Sequence, residues 1–420
     1  QYPRSEYADD ALFQTGLTYQ TLNQLPNAVA PFRKIIENYK TSSPLVNESL
    51  IQLGLVSYNL GNQEGAVNYY KQIFGNNPTA SEANRALSAL EEIYVRDMGR
   101  ADLYFAFLET VPGYKVDNAS RDNINFQAAE SQFENANYTR AIEEYTKYIR
   151  MYPNGQNTLT AYYHRGESYA VNRQYAQALA DYEFVVSRGP SAFYLRALEK
   201  GAIIAYNSEQ DFAKAYQLYS QLEQAADNSG LRFEAQLGAM RAAYRSGNTG
   251  AVQTQAAKVA NNPSATPAQR STANFYLAKI AFDQQRYDQA LPTLDQVIAN
   301  SDNETTAEAR YLRNYIYYQR RDLARAQELA LATNRENSGY PFWVAKNVIL
   351  LADILRERKD LYNARAALQA LLENYNEDQT LVQEARQKLA RLETEINQGS
   401  RLNNSPTNTS RGFIEMDNGG

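Results

Sequence analysis

The chain repeats one residue skeleton along most of its length, and that period limits what it can fold into. At Tyr162–Pro190, the residues Tyr162, Gly166, Tyr169, Ala178, Tyr182 and Pro190 stand at offsets 0, 4, 7, 16, 20 and 28. Leu50, Gly54, Ala66, Tyr70 and Pro78 repeat the same spacing. Apolar and small residues three and four apart on either side of a turn read as two short helices, and the period is about 34 residues. A unit of that size cannot bury its own apolar face, so each copy packs on its neighbours. The expected product is an all-α solenoid of antiparallel helix pairs, with about ten repeats and a C-terminal capping helix. Such a surface suits holding macromolecules better than enclosing a small substrate.

The other copies are marked in the same way. Unit one carries Leu12, Gly16, Tyr19, Ala28 and Phe32; unit four Ala129, Ala141, Tyr145 and Pro153; unit eight Leu277, Ala278, Ala290 and Leu294. Tyr219 marks unit six, Tyr317 and Ala326 unit nine, and Leu351, Ala352, Ala364 and Leu368 unit ten. Units near 82–113 and 232–265 depart most; there Ala89, Ala101 and Phe105, and Leu237 and Ala251, are assigned to the slots. Leu60-Gly61-Asn62 and Ser246-Gly247-Asn248 read as turns within units, and Pro31 and Pro292 as mild bends inside second helices.

These residues resemble the tetratricopeptide repeat over about residues 9–376. That family places small residues where its paired helices cross and large ones beside them. Leu381, Ala385, Leu389, Leu392 and Ile396 then form one apolar stripe, expected as a cap over 377–397 with Glu384, Arg386, Lys388, Arg391 and Glu393 in water. Residues 398–420 turn to Gly, Asn, Ser and Thr and read as disordered. Within them Phe413-Ile414-Glu415-Met416 is a candidate short docking motif, set against the plainer reading of a chance apolar cluster.

Residues 1–8 read as the remnant of a preceding repeat. Pro3 lies 13 residues before Gly16, as Pro153 lies 13 before Gly166, so Tyr2-Pro3 is expected to close a unit upstream of this sequence, where any targeting signal would also lie. The junction from Tyr2 to Phe13 resembles those of bacterial envelope repeat proteins. That group includes the lipoprotein partner of the outer-membrane barrel-assembly machine and the Tol-associated periplasmic coordinator of cell division. Long arrays ending in an amphipathic cap and a polar tail are also similar to large Bacteroidetes repeat proteins. The resemblance implies a periplasmic or outer-membrane-associated protein that organises envelope complexes.

Composition removes several kinds of chemistry. There are no cysteines and one histidine, which excludes thiolate catalysis and cysteine-ligated metal. Without a second histidine, His164 reads as a surface or groove residue. The acidic pairs Glu91-Glu92 and Glu143-Glu144 point about 100° apart on a helix and do not converge. Basic and acidic residues number 42 and 47, interleaved, with no basic face for nucleic acid. No run approaches the ~18 apolar residues of a membrane span. No catalytic residue, metal site or cofactor is expected, and Trp343 reads as packing in unit ten.

Tyrosine is the outlier, 33 against 15 phenylalanines and one tryptophan. In the resembled family, the second, fifth, ninth and twelfth positions of the first helix line the inner groove. Here they include Phe13, Ile51, Tyr58, Phe126, Phe133, Tyr163, Phe275, Phe282, Tyr311, Tyr315 and Tyr318. Chaperone-binding members carry Lys and Asn at the fifth and ninth positions to clamp a terminal carboxylate. This chain has Phe126 and Glu130, Tyr163 and Glu167, Phe275 and Lys279, and Tyr311 and Tyr315 there, so an Hsp70/Hsp90 clamp is not expected. The expectation is a non-enzymatic scaffold or adaptor of the bacterial envelope, taking protein partners on an aromatic groove. The alternatives are a glycan-binding protein of SusD-like type, since rings also stack on sugars, and the regulatory arm of an enzyme whose catalytic domain lies upstream.

Overall fold

A computed structural model describes residues 7–403, with side chains to Gln398. Residues 1–6 of the expected 1–8 remnant, residues 404–420 of the expected 398–420 tail and the Phe413–Met416 motif lie outside the described residues. Every described element is helical. The chain divides into two compact units, Gln1–Asp211 and Phe212–Gly420.

In the first unit, helices α1 (Ala8–Thr21) and α2 (Leu25–Asn38) pair, as do α3 (Val46–Asn59) and α4 (Gln63–Ile73). Helix α5 (Ala80–Glu91) runs into a π-helical turn, Glu92–Asp97, before the short α6 (Ala101–Leu108). Then α7 (Asn118–Glu134) pairs with α8 (Tyr138–Met151), and α9 (Thr158–Val171) with α10 (Tyr175–Ser187), followed by α11 (Tyr194–Asn207). The second unit opens with α12 (Phe212–Ala225). The pairs α13 (Ser229–Arg245) and α14 (Thr249–Asn261), α15 (Pro267–Asp283) and α16 (Tyr287–Asn300), α17 (Glu304–Gln319) and α18 (Leu323–Glu336), and α19 (Pro341–Glu357) and α20 (Leu361–Asn374) follow. Helix α21 (Gln379–Asn403) packs on α20 and α19 and continues beyond the expected end at 397. Pro31 and Pro292 lie inside α2 and α16, which continue past them.

The turns fix the true period. Asn23, Gly61, Gly99, Ala136, Arg173, Gln210, Gly247, Gln285, Arg321 and Lys359 all have positive φ, each 36 to 38 residues after the one before. The repeat is therefore longer than the 34 residues read from the sequence, because connections between pairs take up the surplus. In eight of these turns the next N–H reaches back five residues, as from Asn62 to the Ser57 carbonyl and from Gln174 to that of Tyr169, both at 2.8 Å. This is the Schellman closure, which satisfies helix-end carbonyls and needs a left-handed residue. The Asn62, Asn248, Asp322 and Asp360 side chains then cap the second helix directly.

Five residues after each left-handed residue comes the tightest slot. Ala28, Ala66, Ala141, Ala178, Ala215, Ala290, Ala326 and Ala364 fill it in eight units, all fully buried. The sequence assignment of Ala101 and Ala251 is corrected here: the turns at Gly99 and Gly247 put Tyr104 and Val252 in the slot. In the Tyr104 unit the first helix widens into its π turn, and Arg100 N–H reaches back six residues to Tyr94 instead of five. The buried Gln132 amide donates to the Arg96 and Asp97 carbonyls at 3.3 Å, satisfying part of the widened end.

Close approach explains the helical glycines. A Cβ on Gly16 would stand 2.4 Å from the Phe32 ring, and one on Gly54 2.5 Å from that of Tyr70. Each ring lies flat against the backbone of its partner helix.

Candidate inner-face site

First helices carry the candidate residues, and the structure sorts them by burial. Phe13, Ile51, Tyr163 and Phe275, all at the fifth position, are buried in the core. Phe13 meets Phe32 edge-on at 5.5 Å, and Tyr163 stacks on Phe193 at 4.5 Å. The expectation that these four line an open groove is corrected: their rings and side chains are taken up by packing, Phe13 against its own partner helix and Tyr163 against Phe193 of the next pair, whereas Phe126 and Tyr311 at the same fifth position stay half-buried. Tyr58, Phe126, Phe133, Phe282, Tyr311, Tyr315 and Tyr318 are half-buried, each with part of a ring left open.

In the first unit, α7 and α9 bring Phe133 and Glu130 beside His164, while Phe126 packs on Tyr145 and Tyr148 of α8. The His164 ring lies parallel to that of Phe133, 4.6 Å away at 4°, and its Nδ1 is 3.0 Å from Glu130 Oε2. The Tyr145 hydroxyl, delivered from α8, donates to the same oxygen at 2.7 Å. Burial pulls the Glu130 pKa up, but the hydrogen bonds from His164 and Tyr145 outweigh it and hold the carboxyl below its ordinary value. One repeat later Tyr182 donates to Glu167, which pairs with Lys200 of α11. Behind them Arg165 forks onto the buried Asp181 at 2.7 and 2.8 Å. Tyr58 stands apart, nearer the start of the unit, where its bond to Asp97 raises its pKa.

In the second unit the rings form a chain across α15, α17 and α19. Phe282 meets Tyr315 edge-on at 5.5 Å, and Tyr315 sits between Tyr311 and Tyr318, 6.4 and 6.3 Å away. Tyr311 also meets Trp343, buried at the start of α19, at 5.8 Å. Burial pushes the Tyr311 hydroxyl up to about 12, and the Tyr318 hydroxyl, bonded to Glu357 at 2.7 Å, is also raised. Tyr311, Tyr315 and Tyr318 line a pocket of about 260 Å³, with Lys346, Ile349, Leu350 and Asp353 of α19 and Leu381, Glu384 and Lys388 of α21.

Sequence reasoning missed the charged members of this pocket. Glu384 and Lys388 were read as the water face of the cap, yet Lys388 reaches Asp353 at 2.6 Å and Glu384 at 3.6 Å. Lys346 has no ion pair among the described residues; its ammonium lies 5.3 to 5.5 Å from the ring centres of Trp343, Phe342 and Tyr311. The second-position slot held the signal for Lys346, but an aromatic search passed over it. Nothing in the sequence announced that a cap residue returns to the inner face.

A larger opening of about 780 Å³ lies beside the π turn, lined by Gln63, Asp97, Gln132 and Arg140 among others. It sits at the turn edge of the helix pairs, and its buried Gln132 is already occupied with backbone carbonyls.

Helix pairs in a fixed period, with rings gathered on the first helices, define a helical-repeat protein built to present a surface. Three sequence models of the tetratricopeptide repeat match the chain, one at residues 126–193 and 275–341, one at 10–42 and one at 48–79. The chain is a tetratricopeptide repeat protein, and that fold supports a protein–protein interaction scaffold. Among solved structures it is similar to the C-terminal part of a TPR repeat-containing protein from Cytophaga hutchinsonii, at 19% identity and TM-score 0.42, covering 62% of this chain and 98% of that one. It is similar to yeast Tom70 at 14% and 0.36, covering 96% and 92%. A tetratricopeptide repeat protein from Parabacteroides merdae is similar at 15% and 0.24, covering 74% and 98%. No curated protein matches the sequence.

Proposed function

We propose that this chain is a non-catalytic scaffold of the bacterial cell envelope, periplasmic or outer-membrane-associated, that holds protein partners on its aromatic inner faces. The observation that carries the binding mode is the run Phe282, Tyr311, Tyr315 and Tyr318, four half-buried rings on the adjacent first helices α15 and α17, of which the three tyrosines line one pocket and Phe282 meets Tyr315 beside it. Large rings fixed by their neighbours lose little entropy on binding, and such clusters supply interface hot spots. Lys279 paired with Glu308, and Lys388 with Asp353, give the rim its polar character. The envelope location rests on the resemblance of the Tyr2–Phe13 junction to envelope repeat proteins.

The test is a cross-linked pull-down from native cells, comparing the full-length protein with a Phe282→Ala, Tyr315→Ala, Tyr318→Ala variant of equal helicity. Partners from the envelope that disappear with the variant are expected. Partners unchanged by the variant would refute the inner-face mode, and cytosolic partners alone would refute the location.

A further inference from the structure

The pocket between α17, α19 and α21 has a cation without a counter-charge among the described residues, set against aromatic rings. Of its four charged residues, Lys388 is bridged by both Asp353 and Glu384, which leaves Lys346 alone among Tyr311, Phe342 and Trp343. A ligand for this place brings apolar side chains for the half-open rings of Tyr311, Tyr315 and Tyr318, with a carboxylate set toward Lys346 and away from Asp353. The sequence contains one short segment of that composition close by: Phe413-Ile414-Glu415-Met416-Asp417.

We propose that this segment of the chain's own C-terminal tail occupies the α17–α19–α21 pocket, with Glu415 on Lys346 and the flanking Phe413, Ile414 and Met416 on the tyrosine rings. This rests on the inner face being the binding face, and makes the tail a competitor that partners must displace. Connectivity permits it. Helix α21 lines the pocket and runs on to Asn403; from Glu384 to that end is about 28 Å at ~1.5 Å per residue. Glu415 follows Asn403 by 12 residues, enough chain to span about 40 Å extended. The tail is therefore long enough to return alongside α21 to the level of the pocket. A tether of this length holds its segment at an effective concentration of about millimolar, so modest contacts suffice. The pairing is specific in sign: with Asp353 and Glu384 already facing Lys388, only the Lys346 end of the pocket welcomes an acid.

A photo-reactive benzoylphenylalanine in place of Phe413, in the full chain, tests this. Cross-links within a single chain to residues 311–318, 346–353 or 381–388 are expected. Glu415→Lys should lower their yield about tenfold, the factor carried by one charge-assisted hydrogen bond, and adding Lys346→Glu should restore it. Cross-links elsewhere, or none, overturn the proposal. Cross-links between two chains that grow with concentration overturn it in favour of a second copy, and failure of the charge swap to restore the yield overturns the Glu415–Lys346 pairing. If the tail fails while Phe282→Ala, Tyr315→Ala, Tyr318→Ala still abolishes partner capture, the inner-face reading stands alone.

Discussion

Tyr145 donates its hydroxyl to Glu130 at 2.7 Å, and the pair recurs one repeat later as Tyr182 and Glu167, with the tyrosine fifteen residues after the glutamate both times. In each case a residue of the next first helix completes the group, His164 for Glu130 and Lys200 for Glu167. The tyrosine ring fills the core while its hydroxyl fixes a carboxylate at the inner face. One repeat is thus tied to the next through a polar group that the packing itself positions.

Removing the hydroxyl tests that tie. Tyr145→Phe keeps the ring and takes one donor from Glu130, which should destabilise the protein by about 1–2 kcal/mol. Urea unfolding followed by circular dichroism measures it. No change in midpoint would mean that His164 alone satisfies Glu130.

The pH profile has two edges. Glu130 is held below its ordinary pKa, so its stabilisation is present above the unfolded carboxylate value of about 4.3 and is lost as pH falls below it. Buried tyrosines shift the other way. Burial pushes Tyr70, Tyr163 and Tyr311 up to about 12, and raises Tyr145 and Tyr182 as well. Their contribution is present below the unfolded value of about 10 and is lost as pH rises past it. Stability should therefore plateau between roughly pH 5 and 10 and fall on both sides; phenolate absorbance should show a second tyrosine population that ionises only with unfolding.

Glycines at the helix crossings should rank by distance. Gly16→Ala and Gly54→Ala force a methyl within 2.4 and 2.5 Å of Phe32 and Tyr70 and should cost about 1–3 kcal/mol. Gly166→Ala meets Tyr182 at 3.1 Å and should cost less, because a small ring shift relieves it. Thermal midpoints of the three variants give the order.

Left-handed turns filled by ordinary residues offer the opposite sign. Arg173 and Lys359 hold φ of 60° and 66°. Replacing either by Gly removes a Cβ penalty of about 1 kcal/mol and should stabilise the chain. A lowered midpoint would show that the Arg173 or Lys359 side chain contributes more than its backbone strain costs.

A buried amide network should resist apolar replacement. Asn314 donates to Thr333 Oγ1 at 2.9 Å and to Asn347 Oδ1 at 3.0 Å, and Asn347 donates to the Ala330 carbonyl at 2.8 Å. All three side chains are fully buried. Asn347→Leu strands the others and should cost about 2–4 kcal/mol, more than a surface Asn→Leu change. Equilibrium unfolding of the pair of variants decides it.

The helix pairs were legible because Gly166, Ala178 and Tyr182 answer to a steric rule that acts through sequence spacing. The period was misread because six of the ten left-handed turn residues, Ala136 and Gln285 among them, are neither glycine nor asparagine and carry no turn signature. Tyr104 hid its slot for a related reason: a π turn adds a residue to the first helix, so a search for a small residue settled on Ala101 instead. At the inner face, Tyr315 and Tyr318 were found by position, whereas Phe13, Ile51, Tyr163 and Phe275 share that logic but are buried in the packing between helices. Lys388 was unreadable because its place depends on how α21 lies against α19, which no local pattern encodes.

The most direct measurement places a photo-cross-linker at Tyr315, and separately at Tyr362, which is 65% exposed on a second helix. Both are made in full-length protein carrying Phe413→Ala, Ile414→Ala and Met416→Ala, so that the tail does not decide the outcome. Illumination in native cells should trap other polypeptides from Tyr315 and not from Tyr362. Capture from Tyr362 with none from Tyr315 would contradict the account, because partners would then be held on the second-helix surface and the aromatic inner face would be packing alone.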